Sequence, residues 1–82
     1  FDVRTAISFS LGQPGAAAVK VYDRAGRLVK EVVESQVFTA GSNVVYWDGT
    51  DGDGSVVPSG LYTVAVRFDG KTAVRTVAVV NR

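Results

Sequence analysis

The chain contains no cysteine, no methionine and no histidine, and only two prolines and one tryptophan among its 82 residues. Without cysteine there is no disulfide. Without cysteine and histidine together there is no zinc site of the usual kind. The same absences remove a Ser-His-Asp triad, a Cys-His pair and a histidine acid–base pair. The missing methionine, with Phe1 leading the chain, leads us to expect one module of a larger protein. Neither sign of charge prevails: nine basic residues stand against eight acidic ones, a net +1. A nucleic-acid or anionic-membrane surface needs a clustered excess of Lys and Arg, so neither partner is expected. No apolar run approaches the roughly 18–20 residues of a membrane span, so no membrane insertion is expected. No signal-peptide pattern opens the chain. A single domain of this size buries only roughly 60–65% of the surface its unfolded form exposes, which makes the quality of its core decisive.

What the chain does have is β-branched residues. Seventeen Val, six Thr and one Ile face only three Leu. Such side chains are stiff at χ1 and suit a pleated sheet better than a helix. Nine glycines fall mostly between the apolar runs, where turns belong. A first strand is expected over about Arg4–Leu11, where Thr5, Ile7, Phe9 and Leu11 alternate with small residues. Gly12 to Gly15 ends it. A second strand, about Ala17–Asp23, sets Val19 and Val21 against Lys20 and Tyr22. Asp23-Arg24-Ala25-Gly26 has the composition of a tight turn. The third strand, about Arg27–Glu34, pairs its apolar residues as Leu28-Val29 and Val32-Val33. That lapse in alternation predicts a bulge or an edge position.

Val37-Phe38 is a further short apolar pair, followed by a strand over about Ser42–Asp48. Residues 48–60 are rich in turn formers, with a brief edge pairing expected at Val56-Val57. The last two strands, Leu61–Asp69 and Lys71–Val80, flank Asp69-Gly70, a two-residue hairpin signal. The final strand is apolar on both faces: Ala73, Val77 and Val79 on one, Val74, Ala78 and Val80 on the other. Such a strand is either central in its sheet or covered by a partner, and the central position is the one expected. About seven short strands imply an all-β chain: an antiparallel β-sandwich, with a small barrel as the alternative. Trp47, Phe9, Tyr62 and Phe68 are expected at its centre.

Several stretches combine into a longer pattern: Val19-Lys20-Val21-Tyr22-Asp23, Gly26-Arg27, Ala40-Gly41, Tyr46-Trp47-Asp48-Gly49, Asp53-Gly54 and Pro58-Ser59-Gly60-Leu61-Tyr62. Its residues Tyr22, Asp23, Gly26, Gly41, Trp47, Asp48, Gly49, Gly54, Gly60 and Tyr62 are the expected structural motif. The pattern resembles the immunoglobulin-like domain of the flagellar hook-capping protein family. It is also similar to the β-sandwich modules at the C-terminal ends of large bacterial secreted proteins, including type IX secretion sorting domains. The resemblance spans roughly residues 5–80. It implies an immunoglobulin or fibronectin III-like fold in an exported bacterial protein, outside the cell or on its surface. The implied partners are other domains of the parent chain, export machinery or surface assembly proteins. Hook-capping proteins carry a second small β-domain that is not seen here. Asn81-Arg82 is compatible with the basic ending of sorting domains. The uninterrupted sandwich therefore favours a non-catalytic accessory module for spacing, export targeting or docking. Hook-cap assembly through protein–protein contacts is the first alternative, and carbohydrate binding the second.

The candidate sites are few. Asp48, Asp51 and Asp53 lie among glycines, as oxygen ligands for Ca²⁺ often do. An EF-hand register fails, because it sets Gly49 at the first ligand position and Gly60 where the bidentate Glu belongs. Turn-capping aspartates are the favoured reading, with no metal or other cofactor. Trp47, Tyr46, Tyr22 and Tyr62 could stack on a sugar, but alternation sends Trp47 and Tyr62 to the core and Tyr46 and Tyr22 outward. Lys20 and Asn81 are a loose match to an isopeptide pair, although Lys20 alternates toward solvent. Glu31 and Glu34 are paired carboxylates with nothing to raise a pKa, so no catalytic set can be assembled and no enzyme activity is expected.

Overall fold

A computed structural model describes residues 5–80. Six strands follow one another with no helix among the described residues: β1 (Thr5–Leu11), β2 (Gly15–Tyr22), β3 (Leu28–Phe38), β4 (Gly41–Trp47), β5 (Gly60–Phe68) and β6 (Lys71–Val79). They form two antiparallel sheets, one of β1 and β4, the other in the order β3-β2-β5-β6. The sheets face each other as a sandwich. Arg4 and Asn81, needed for the expected first strand start and for an isopeptide pair, lie outside the described residues.

Six strands stand where about seven were expected, because the Val37-Phe38 pair is the end of β3 and not a separate element. The short additional pairing is a bridge between Thr50 and Val56. β3 is an edge strand, and its register against β2 shifts around Val19 and Lys20 and again before Tyr22. Eleven residues of β3 thus run beside eight of β2. The extra residues must bulge, which accounts for the paired apolars of its sequence. β5 and β6 join through Asp69 (φ 52°) and Gly70 (φ 72°), with Phe68 opposite Lys71. Positive φ at both central residues matches the twist of the flanking strands.

The inward faces supply the core. Ile7 and Leu11 of β1, Val19 and Val21 of β2, Val45 and Trp47 of β4, and Tyr62 and Val64 of β5 are buried. Trp47 is only 1% exposed. Phe9 and Phe68 pack against this cluster half-buried, and Phe9 meets Phe38 edge-to-face at 5.0 Å. No charged side chain is buried among the described residues, so the core asks for no ion-pair compensation.

The expected central place of the last strand is overturned. β6 pairs with β5 alone and forms the outer edge of its sheet. Ala73, Val74 and Ala78 are exposed, Val74 to 69%. Two causes act: the two-stranded sheet leaves Ala73 uncovered on the core-side face, and Val74 and Ala78 lie on the outer face beside Ala65 and Leu61, where no further layer packs among the described residues.

Trp47→Ala should remove the largest buried side chain and leave a cavity between the sheets. A loss of about 3–5 kcal/mol in urea unfolding is expected, and a loss below 1 kcal/mol would place the weight of the core elsewhere.

Candidate functional site

Apart from Gly41, the motif residues gather at one end of the sandwich, around the β2–β3 turn and the 48–59 loop. At the turn, Asp23 acts as a clamp. Its Oδ1 accepts the backbone N–H of Ala25 and of Arg27, each at 2.9 Å, and its Oδ2 pairs with Arg27 Nε at 2.9 Å. Gly26 N–H donates to the Asp23 carbonyl at 3.0 Å, with Gly26 at φ 83°. A side chain at that φ would be strained, so glycine suits the position. Tyr22 leaves the core from the end of β2, opposite Thr63, on the outer face of the four-stranded sheet.

The 48–59 loop is organised in the same manner. Asp48 Oδ1 accepts the Thr50 hydroxyl at 2.6 Å and the Thr50 N–H at 3.1 Å. Asp51 Oδ1 accepts the N–H groups of Asp53 and Ser55 at 2.9 and 3.0 Å. Gly54 N–H returns to the Asp51 carbonyl, and Val57 N–H to that of Gly49. Such Asx-turns replace secondary structure with side-chain acceptors. Asp48 and Asp51 therefore each turn an oxygen onto nearby backbone amides. Among the described residues no three acidic side chains are grouped as a metal cage.

Trp47 anchors this loop. Its indole Nε1 donates to the Thr50 carbonyl at 2.8 Å, and its ring meets Tyr62 edge-to-face at 5.4 Å. The Tyr62 hydroxyl donates to the Pro58 carbonyl at 2.6 Å. A tyrosine near a strand start bonding backbone a few residues upstream is the tyrosine corner of immunoglobulin-like sandwiches. The Pro58-to-Tyr62 spacing carries this signal, although it is easily passed over as turn chemistry. Two further ties are tertiary and left no local mark: Gly52 N–H donates to the Val29 carbonyl at 3.0 Å, and Lys30 Nζ reaches Thr50 Oγ1 and the Asp51 carbonyl at 3.3 and 3.4 Å. Gly60 opens β5, and Gly41 opens β4 at the opposite end of that strand from Trp47.

An open groove lies between the β2–β3 turn and this loop. Arg24, Arg27, Lys30, Glu31, Asp51 and Asp53 all border it, so its lining carries both signs of charge. The four aromatic candidates form no platform. Trp47 and Tyr62 are buried, while Tyr46 and Tyr22 belong to the outer faces of different sheets. Lys20 lies 3.7 Å from Glu31, both side chains being well exposed. Glu34 is exposed on the same edge strand.

The model of the FlgD Ig-like domain family matches residues 2–72. The chain belongs to the FlgD Ig-like domain family. Among solved structures it is similar to FLGD from P. aeruginosa, with 31% identity and a TM-score of 0.72 over 90% of this chain. The match spans 58% of the length of that FLGD chain. No curated protein matches. The described residues form an all-β, Ig-like sandwich of two antiparallel sheets.

Two outcomes follow for this end of the domain. Tyr62→Phe keeps the ring contact but removes the hydroxyl, and a loss of about 0.5–1.5 kcal/mol in chemical unfolding is expected; an unchanged midpoint would deny the corner a role. The second concerns acid. The Arg27 N–H and guanidinium hold Asp23 below its ordinary 3.8. The Thr50 hydroxyl, its N–H and the Lys30 charge do the same for Asp48. Some desolvation opposes both shifts. A folded pKa below the unfolded one stabilises at higher pH, and this contribution is lost as pH falls through the folded value. The melting temperature should thus decline between about pH 5 and pH 2, and decline less in the Asp23→Asn/Asp48→Asn double variant. Parallel declines in the two proteins would refute the assignment.

Proposed function

We propose that this domain serves in flagellar hook-cap assembly through protein–protein contacts. The observation that carries the reading is the likeness to FLGD from P. aeruginosa over 90% of the chain at 31% identity. It weighs more than the uninterrupted sandwich, which had favoured an accessory module of a secreted enzyme. The proposed role is non-catalytic and is played outside the cell. The site geometry agrees with such a role: the aspartates and aromatics of the motif hold loops in place, and the groove beside them is open and mixed in charge. A rigid end with exposed neighbouring faces is suited to docking, and contact surfaces on loops held by a rigid scaffold are common.

The test is a chimera. Residues 1–82 replace the matched segment of P. aeruginosa FLGD in a strain lacking its own copy. Restored swimming and hooks are expected. A chimera that accumulates and is exported, yet leaves the cells without hooks, would overturn the reading.

A further inference from the structure

Asp-Gly occurs four times in the chain, as Asp48-Gly49, Asp51-Gly52, Asp53-Gly54 and Asp69-Gly70. This dipeptide has a chemistry of its own. The backbone nitrogen that follows an aspartate attacks the side-chain carboxyl carbon, and a glycine there has no Cβ to obstruct the approach. The reaction needs a nitrogen that is not donating elsewhere, a carboxylate free to turn toward it, and a backbone able to close the imide ring.

The fold withholds one or more of these conditions at three of the four. Gly49 is buried, and Asp48 Oδ1 is held by the hydroxyl and N–H of Thr50. Gly52 N–H donates to the Val29 carbonyl, while Asp51 Oδ1 is held by the N–H groups of Asp53 and Ser55. Gly54 N–H donates to the Asp51 carbonyl. At the β5–β6 turn nothing is held. Asp69 and Gly70 are exposed, and neither the Asp69 carboxylate nor the Gly70 N–H has a partner among the described residues.

The backbone of that turn is also part-way to the ring. Asp69, at φ 52°, is the one non-glycine residue with positive φ among the described residues, and with Gly70 at φ 72° the turn has the type I′ form. Ring closure brings the Gly70 nitrogen to the side of the Asp69 Cβ. For an L-residue this sets ψ at about −120°, the value at the first central position of a type II′ turn, where φ is again positive. One peptide unit flips to convert the first turn into the second, and Gly70 exchanges positive φ for negative at little cost. Both forms join their strands through two residues, so Phe68 stays opposite Lys71.

We propose that Asp69-Gly70 is a site of spontaneous isoaspartate formation, and that the fold confines this modification to the β5–β6 turn. The Gly70 nitrogen bonds to the Asp69 Cγ. The protonated carboxyl gives up its hydroxyl, which leaves as water with the amide proton. Water then opens the succinimide at one of its two carbonyls. Opening at Cγ restores aspartate. Opening at the α-carbonyl breaks the bond from that carbon to the Gly70 nitrogen, runs the chain through the side chain and leaves the α-carboxylate as the free acid. The backbone is then one carbon longer in a loop of two residues, which no longer matches the strand spacing. The Phe68–Lys71 pairing beside the turn is the first to suffer. β6 has no other strand partner among the described residues, so it loosens from its turn end. This modification is independent of the hook-cap reading.

The experiment ages the 82-residue chain at neutral pH and physiological temperature, folded in buffer and unfolded in guanidinium. Trypsin cuts after Lys30, Arg67 and Lys71, so residues 68–71 leave as one peptide, while Asp48, Asp51 and Asp53 stay together in residues 31–67. Isoaspartate in each peptide is counted with an isoaspartyl carboxyl methyltransferase and labelled S-adenosylmethionine. In the folded chain, residues 68–71 should carry at least about tenfold more label than residues 31–67, since loss of a near-attack geometry costs on the order of a hundredfold in rate. In guanidinium the peptide with three Asp-Gly pairs should carry the more. Asp69→Gly removes the carboxylate at a position whose φ suits glycine, and should bring the folded chain close to background. Circular dichroism matching the parent shows that the variant folds. Label in residues 31–67 that equals or exceeds that in residues 68–71 of the folded chain would overturn the proposal. So would residues 68–71 free of label, the same distribution folded and unfolded, or an undiminished total in Asp69→Gly.

Discussion

The indole of Trp47 joins three things that would otherwise be independent. Its rings fill the space between the sheets, its edge contact with Tyr62 ties β4 to β5, and its N–H holds the carbonyl of Thr50. Tyr62 extends the chain of dependence to Pro58. The long crossing from one sheet to the other is thereby fixed at both ends by aromatic side chains that also belong to the core. A buried indole needs a partner for its N–H, and here the partner is the loop itself. Packing of the core and order in the loop are consequently one constraint.

Around that anchor, polar chemistry is kept at the surface. Asp23, Asp48 and Asp51 are exposed or half-buried and shape turns by accepting backbone N–H groups, while Lys30 braces the loop from the neighbouring edge strand. The motif read from the sequence is thus mainly a set of instructions for one end of a sandwich: it specifies a scaffold and leaves the exposed faces free.

The strands that were legible in the sequence are those whose information is local. β5 alternates from Tyr62 to Phe68, and Asp69-Gly70 encodes its own turn, so that hairpin could be placed residue by residue. β3 was harder. Its bulges break the period of two, and Val37-Phe38 looked detached although it completes an eleven-residue strand. β6 was misplaced for another reason. A run of Val and Ala has the same pattern whether central or at an edge, and what decides its exposure is its place in the strand order and whether a layer covers each of its faces. The site followed the same division. The turn aspartates and the core placement of Trp47 were readable from short-range pattern, whereas the Val29–Gly52 and Lys30–Thr50 ties exist only once distant strands are side by side.

The separation of the hydrogen-bond ladders into two sheets has a thermal consequence. Among the described residues no strand ladder runs from one sheet to the other, so the sheets cohere chiefly through apolar contact. Apolar cohesion weakens on cooling, as the entropic drive to exclude water fades. The backbone ladders within each sheet have no such dependence built into them. In the cold, the seam between the two layers is where this domain gives way first.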